Sequence, residues 1–154
     1  IERLKMCQSE EREGLVSRIG SLCQEMPRER LMMSWQEARA MLNSGLVTFG
    51  SHTSEHRLLH QLDFEDIERE VATSREDIRQ NLSVDATLFA YPNGDFNRAV
   101  KTILDKHGFS AAVTTKKGYV CNSTPRLEVP RIGIHDDISH TKPLFYSRIL
   151  LDAF

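Results

Sequence analysis

The alternation of hydrophobic and polar residues predicts several helices along the chain. In the first, residues 1–24, leucines and isoleucines recur at near-helical spacing among charged residues. The second follows Ser34, because Ser34 and Glu37 have the Ser-x-x-Glu spacing of a capping box, and it ends near Gly45. Three later helices, the first two capped by Asp63 and Asn97, are predicted over residues 63–81, 97–107 and 143–154.

Short apolar segments rich in β-branched residues lie between these helices and predict strands. They are residues 46–50, 86–90, 109–114 and 129–134. Strands that alternate with long helices pair in parallel through crossover connections. The predicted fold class is therefore α/β, with parallel strands and flanking helices. A length of 154 residues is that of one domain, which we place over residues 1–154.

Composition and charge exclude several classes of protein. Hydrophobic residues make up 40% and charged residues 27%, so the chain is neither disordered nor fibrous. With a net charge of −2 and no basic patch, nothing indicates nucleic-acid binding. No apolar run approaches the ~20 residues of a transmembrane helix. Cys7, Cys23 and Cys121 fit neither a disulfide framework nor a zinc ribbon, and we expect Cys7 and Cys23 to be small core residues.

Three polar segments follow predicted strands at their carboxyl ends. They are residues 51–56, 91–95 and 134–137, which come after the first, second and fourth strands. In parallel α/β sheets and barrels, functional groups gather on the loops that leave these ends. We therefore expect the three segments to meet at one edge of the fold and to carry its chemistry.

His52 and His56 are the candidate metal ligands. Residues four apart on one helical turn lie on the same face, which would place the two Cβ atoms ~6 Å apart. Two neutral imidazoles at that separation can share one Zn²⁺ or a similar ion. The alternative is a pair of exposed histidines on a polar turn, which is the commoner origin of a bare His-x-x-x-His spacing. Their position directly after a predicted buried strand favours the metal site.

Ordered motifs across most of the chain resemble those of the polysaccharide deacetylases, the NodB homology group or carbohydrate esterase family four. Residues 49–56, Phe-Gly-Ser-His-Thr-Ser-Glu-His, resemble the family's His-Ser/Thr-x-x-His motif. Residues 89–94, Phe-Ala-Tyr-Pro-Asn-Gly, are similar to the Phe-Ala-Tyr-Pro-x-Gly motif of one branch. Residues 35–39 and 129–133 also resemble segments found at corresponding places in the family.

The resemblance implies a metal-dependent hydrolase built on a distorted (β/α) barrel. Such an enzyme removes N-acetyl groups from N-acetylhexosamine residues of a polysaccharide, and the divalent metal is most simply Zn²⁺. His52 and His56 would be two of its ligands. The wall of the cleft, with a backbone N–H near Asn93 facing the oxyanion, would come from Tyr91, Pro92, Asn93 and Gly94.

Two residues near the last motif are implied to take part in catalysis. Arg131 would orient the catalytic base, and His135 is the candidate general acid. Each has a plain alternative, since Arg131 could form a structural ion pair and His135 could be a polar residue at a strand end. Asp136 and Asp137 are possible substitute ligands, although a solvated acidic turn is the commoner explanation of such a pair.

The family's first motif, Thr-Phe-Asp-Asp-Gly, does not occur in the sequence. That motif supplies the carboxylate ligand and the base. Because the chain starts at Ile1 inside a helical pattern, we interpret it as the C-terminal portion of a deacetylase domain, an incomplete barrel, and expect it to be inactive alone. An open barrel exposes a strand edge, which favours a homodimer.

Two other functions remain open from the sequence. The chain could be a non-catalytic carbohydrate-binding remnant of a deacetylase, which keeps the cleft without the chemistry. It could also be an α/β scaffold whose histidines bind metal only adventitiously. The sequence does not specify the polysaccharide or the cellular compartment.

Overall fold

Helices alternate with short parallel strands in the computed structural model, which describes Cys7, residues 9–22, Arg30 and residues 32–151. The helices are α1 (Ser9–Leu22), α2 (Trp35–Asn43), α3 (Phe64–Leu82), α4 (Arg98–Lys106), α5 (Asp136–Ser139) and α6 (Lys142–Leu151). The strands are β1 (Leu88–Ala90) and β2 (Ala111–Val113), and short 3₁₀ turns cover Leu59–Gln61 and Pro92–Gly94. The predicted first helix is confirmed over α1; Cys7 lies in a bend before it, and the other residues of that prediction lie outside the described residues.

Side chains cap the helices as their sequence spacing predicts. Ser34 Oγ accepts a hydrogen bond from the Glu37 N–H at 3.3 Å, and the Glu37 carboxylate accepts one from the Ser34 N–H at 2.8 Å. Asp63 and Asn97 accept hydrogen bonds from the N–H groups three residues downstream, at 2.8 and 3.0 Å. Since the first N–H groups of a helix have no partner within it, these side chains fix where α2, α3 and α4 begin.

The strands form one parallel layer. β1 pairs with β2, with Phe89 opposite Ala112. Each outer side of this pair adds a single parallel bridge, from Ser51 to Phe89 and from Val129 to Val113. The α/β class with parallel strands is therefore confirmed, and the carboxyl ends of four chain segments lie along one edge.

The predicted strands at residues 46–50 and 129–134 are wrong in extent. Residues 46–50 contain no strand, and Leu46 is 89% exposed rather than buried. Only Ser51 pairs with β1, and within the described residues the segment before it has no strand on its other side. At the opposite side only Val129 pairs, because the next N–H that faces β2, that of Arg131, donates to the Lys116 carbonyl oxygen, outside the register of the ladder. An apolar run forms a strand only where a neighbouring segment exchanges backbone hydrogen bonds with it.

The hydrophobic core lies between the strand layer and the helices α3 and α4. Its main cluster contains Leu59, Ile67, Val71, Phe89, Tyr91, Val100, Ile103, Leu104, Phe109, Ala112 and Leu127. A smaller cluster of Ala38, Ile78, Leu82 and Ala86 joins α2 to the far end of α3. The prediction of a core position for Cys7 is wrong, since Cys7 is only half-buried, and Cys23 lies outside the described residues. None of the described helices has both the length and the apolar composition of a membrane span.

Replacing the α3 cap tests how much this local signal contributes to stability. We expect Asp63→Ala to lower the free energy of unfolding by about 1 kcal/mol, because the Asp66 N–H loses its acceptor. Asp63→Asn keeps a side-chain oxygen and should lose only a few tenths of a kcal/mol. Urea unfolding measures both, and equal losses in the two variants would contradict the capping role.

Candidate functional site

An open cleft of about 510 Å³ lies at the carboxyl ends of the strands. Its lining combines both candidate metal ligands with the turn after β1 and with residues from the last parallel segments: His52, His56, Ala90, Tyr91, Asn93, Val113, Thr115 and Arg131. Segments distant in sequence therefore converge on one place, because parallel strands end at the same edge of the layer.

The imidazoles of His52 and His56 adjoin each other in this cleft. Their ring centroids are 4.8 Å apart and the ring planes meet at 74°. The prediction that one helical turn brings them together is wrong, because Thr53 and His56 have left-handed backbone conformations with φ of 67° and 57°. A tight, non-helical loop brings the two rings into edge-to-face contact.

A hydrogen bond to β1 fixes the direction of the His52 ring. Nδ1 of His52 lies 2.7 Å from the carbonyl oxygen of Ala90. A carbonyl oxygen can only accept, so Nδ1 carries the proton and donates it, and in the neutral ring this tautomer has its lone pair on Nε2. Metal-bound histidines in proteins almost always have their second ring nitrogen held in this way.

The geometry of the pair fits two positions of a metal site. With a metal–nitrogen distance of ~2.0–2.1 Å, an ion would sit about 3 Å from each ring centre, so rings 4.8 Å apart can share it. Among the residues that the structure describes, no third His, Cys, Asp or Glu completes a metal-binding group with them. A four-coordinate site built on this pair needs a further ligand beyond those residues.

Tyr91 forms a rigid wall of the cleft. Its ring is buried and stacks on Phe96 with the centroids 4.8 Å apart, and its hydroxyl donates to the carbonyl oxygen of Leu127 at 2.8 Å. Burial raises the pKa of the Tyr91 phenol, and the nearby Glu128 carboxylate adds to the shift. Tyr91 is therefore a neutral, fixed group rather than a proton carrier.

The turn after Tyr91 is closely packed against Thr115. Asn93 has a left-handed φ of 58° and is exposed to the cleft, whereas Gly94 is buried. The carbonyl oxygen of Asn93 accepts a hydrogen bond from Thr115 Oγ1 at 3.1 Å. A Cβ at Gly94 would lie only 2.6 Å from the backbone nitrogen of Thr115, so glycine is required there. This contact sets where Asn93 stands beside the histidine pair.

Arg131 and His135 occupy different positions relative to the pair. Arg131 lines the histidine cleft and also an adjoining cleft of about 470 Å³. His135 lines only the adjoining cleft, together with Lys117 and Arg148. The backbone N–H of Arg131 donates to the Lys116 carbonyl oxygen at 2.9 Å, which anchors the segment next to the strand layer. The structure thus brings Arg131, but not His135, to the two candidate ligands.

Glu70 is a buried acidic residue beside the histidines that the sequence patterns do not identify. It is 5% exposed, and its Oε2 accepts hydrogen bonds from the N–H groups of Ser54 and Glu55 at 3.1 and 3.0 Å. The one sequence signal is its place on α3, between the buried Ile67 and Val71. A charged residue on a buried stripe needs specific partners, but the sequence does not say which.

A family model matches the sequence, and several solved structures share this fold. The sequence model described as polysaccharide deacetylase matches residues 17–112. The deacetylase PplD of Streptococcus pyogenes, solved in complex with acetate, superposes with a TM-score of 0.66 at 24% identity, over 69% of this chain and 46% of its own. A polysaccharide deacetylase from Bacillus cereus gives 0.66 at 29% identity, over 76% and 36%. IcaB from Ammonifex degensii gives 0.61 at 24% identity, over 80% and 57%.

The chain spans about half or less of the first two of these proteins, 46% of PplD and 36% of the Bacillus cereus deacetylase. The structure is therefore a partial domain of the deacetylase-type fold, and this part of the sequence prediction is confirmed. No curated protein matches the sequence significantly.

Two glycines with similar backbones separate crowding from backbone strain at the site. Gly94→Ala and Gly108→Ala both place a side chain at a left-handed φ, 82° and 74°, but only Gly94 faces a close neighbour. We expect Gly108→Ala to cost about 1–2 kcal/mol in unfolding free energy. Gly94→Ala should cost about 1–3 kcal/mol more, because Thr115 cannot move away without its backbone. Denaturant unfolding that gives equal losses would contradict this packing.

Proposed function

The chain belongs to the polysaccharide deacetylase family, and we propose that it forms part of a metal-dependent hydrolase that removes N-acetyl groups from N-acetylhexosamine residues of a polysaccharide. The observation that carries the proposal is the histidine pair, with rings 4.8 Å apart at the carboxyl edge of the strands and one ring oriented by a β1 carbonyl. The acetate bound in the PplD structure is the acid that deacetylation releases, which agrees with this reaction class.

His52 and His56 are proposed to hold a divalent ion, most simply Zn²⁺. Such an ion lowers the pKa of a bound water and polarises the amide carbonyl. In the neutral imidazole, donation from Nδ1 of His52 to the Ala90 carbonyl selects the tautomer whose Nε2 lone pair can bind the ion. The carboxylate ligand and the base would come from the Asp pair of the family's first motif, outside the present sequence.

The remaining residues of the cleft are proposed to bind and orient the reacting amide. Tyr91 to Gly94 form a fixed wall, where a backbone N–H near Asn93 would donate to the oxyanion as its charge develops. Arg131 would hold the carboxylate base by charge-assisted hydrogen bonds. His135 is proposed to protonate the leaving amine. Because its ring lines the adjoining cleft, this last role requires its segment to move toward the pair.

A second candidate function is carbohydrate binding without catalysis. It is favoured by the combination of a formed cleft with only two potential ligands among the described residues. The two functions differ in one observable, the release of acetate. A binding remnant binds the polymer in every longer form of the protein but never releases acetate from it.

Zinc binding is the direct test of the histidine site. We expect the chain to bind Zn²⁺ weakly, since it offers two ligands, and His52→Ala to abolish the binding. His140→Ala is the matched control, because this exposed histidine directly follows α5, away from the cleft. Isothermal calorimetry measures all three proteins. Identical heats for the wild type and His52→Ala would remove the metal site from the proposal.

Acetate release separates the hydrolase from the binding remnant. We expect the chain of 154 residues to release no acetate from the tetramer of N-acetylglucosamine, because its sequence contains no Thr-Phe-Asp-Asp-Gly motif. A form of the protein extended by a strand with that Asp pair should release acetate and should lose this activity on His56→Ala. An extended form that binds the tetramer but leaves it acetylated would establish the binding function instead.

A further inference from the structure

We propose that Glu70 is a positioning residue that fixes the loop between His52 and His56 and thereby sets the separation of the two imidazoles. The inference rests on the proposed function in one respect, the role of the pair as metal ligands. It concerns a residue on α3, in a different element from the histidines, whose side chain does not line their cleft.

The first argument is the place of the two hydrogen bonds. Oε2 of Glu70 accepts from the N–H groups of Ser54 and Glu55, at 3.1 and 3.0 Å. These two residues lie in the interior of the loop, between the histidines. Hydrogen bonds from N–H groups to a carboxylate are stronger than those to a neutral acceptor. Glu70 therefore holds the middle of the segment that joins the two rings.

The second argument is that the loop conformation is unfavourable by itself. Thr53 and His56 flank the two bonded N–H groups, and both have positive φ, which is unusual for any side chain and exceptional for a β-branched one. Oγ1 of Thr53 is also buried with no hydrogen-bond partner among the described residues. Strained backbone of this kind persists only where surrounding contacts impose it.

The third argument is that the other contacts of α3 lie at the two ends of the loop. Ser74 hydrogen-bonds Ser51 before the first histidine, and Asp66 pairs with Arg57 at 3.1 Å after the second. In the part of the chain that the structure describes, Glu70 is the α3 side chain that bonds the interior. The two end contacts restrict where the loop begins and ends, while Glu70 determines its shape.

The burial of Glu70 indicates that stability alone does not explain a carboxylate at this position. The residue is 5% exposed on a helix face whose other buried residues are Ile67, Val71, Ser74, Ile78 and Leu82. Moving a carboxylate out of water is costly, and an apolar side chain would fill the same face without that cost. The carboxylate instead accepts two directed hydrogen bonds from the middle of the loop between the histidines.

The test compares Glu70→Ala and Glu70→Gln with Val71→Ala in the metal-free chain. Val71 is buried on the same helix, so its truncation controls for general destabilisation. Two NMR measurements report the loop directly: hydrogen-exchange protection of the Ser54 and Glu55 amides, and contacts between the two imidazoles. Calorimetry with Zn²⁺ then measures the affinity of each variant.

We expect Glu70→Ala to lower the protection of both amides at least tenfold, to remove the ring contacts and to weaken Zn²⁺ binding about 10- to 100-fold. Glu70→Gln keeps an acceptor oxygen without its charge, so its amide protection and Zn²⁺ affinity should lie between those of the wild type and Glu70→Ala. If the alanine variant does not fold, the comparison of the wild type with Glu70→Gln is the test. Val71→Ala should lower the unfolding temperature and leave the loop measurements unchanged.

Two outcomes separate this inference from the proposed function. If Glu70→Ala and Glu70→Gln leave the amide protection and ring contacts of the wild type intact, the positioning role is wrong whatever the zinc data show. If the wild type binds no Zn²⁺ while the Glu70 variants still loosen the loop, the positioning role stands and the metal site is wrong.

Discussion

The pairing of one residue, Ser51, with β1 determines where the whole candidate site stands. The Ser51 N–H donates to the Leu88 carbonyl oxygen at 2.8 Å, and the Ala90 N–H donates to the Ser51 carbonyl oxygen at 2.9 Å. The next residue, His52, then reaches the Ala90 carbonyl with its ring. Because neighbouring positions on a strand point to opposite faces, a shift of one residue in this register would turn the His52 ring away from the cleft. A bridge one residue long thus has the effect that a complete strand would have.

The helix α3 gives this short bridge its support. Its apolar residues pack on the strand layer, and its polar residues contact the segment that carries the histidines. Hydrophobic burial holds the helix as a body, whereas hydrogen bonds and an ion pair specify the path of the loop. The two kinds of interaction have different effects, because apolar contacts have little directional preference whereas hydrogen bonds require a defined geometry.

The features that were predictable from the sequence are those that depend on residues close together in it. The caps at Ser34, Asp63 and Asn97 follow from spacings of three residues, and all three form. The strand predicted over residues 46–50 does not form, because strand formation depends on a partner segment, about which the local pattern carries no information. The spacing of the histidines predicted that their rings lie close together, but it predicted a helical turn where the structure has a loop. Both structures can join residues four apart. The sequence does not identify Glu70, because its hydrogen-bond partners are more than a dozen residues away.

Thr115 and Arg131 belong to both clefts, so the histidine pair is one end of a longer depression and not an isolated pocket. A linear polymer lying along it would meet two sets of side chains at a fixed spacing. On the proposed function, contacts made by one sugar beside Lys117 and Arg148 would then influence which neighbouring sugar lies at the histidines. Selectivity in such an arrangement would reside in the periodicity of the polymer, and not only in the identity of the unit that reacts.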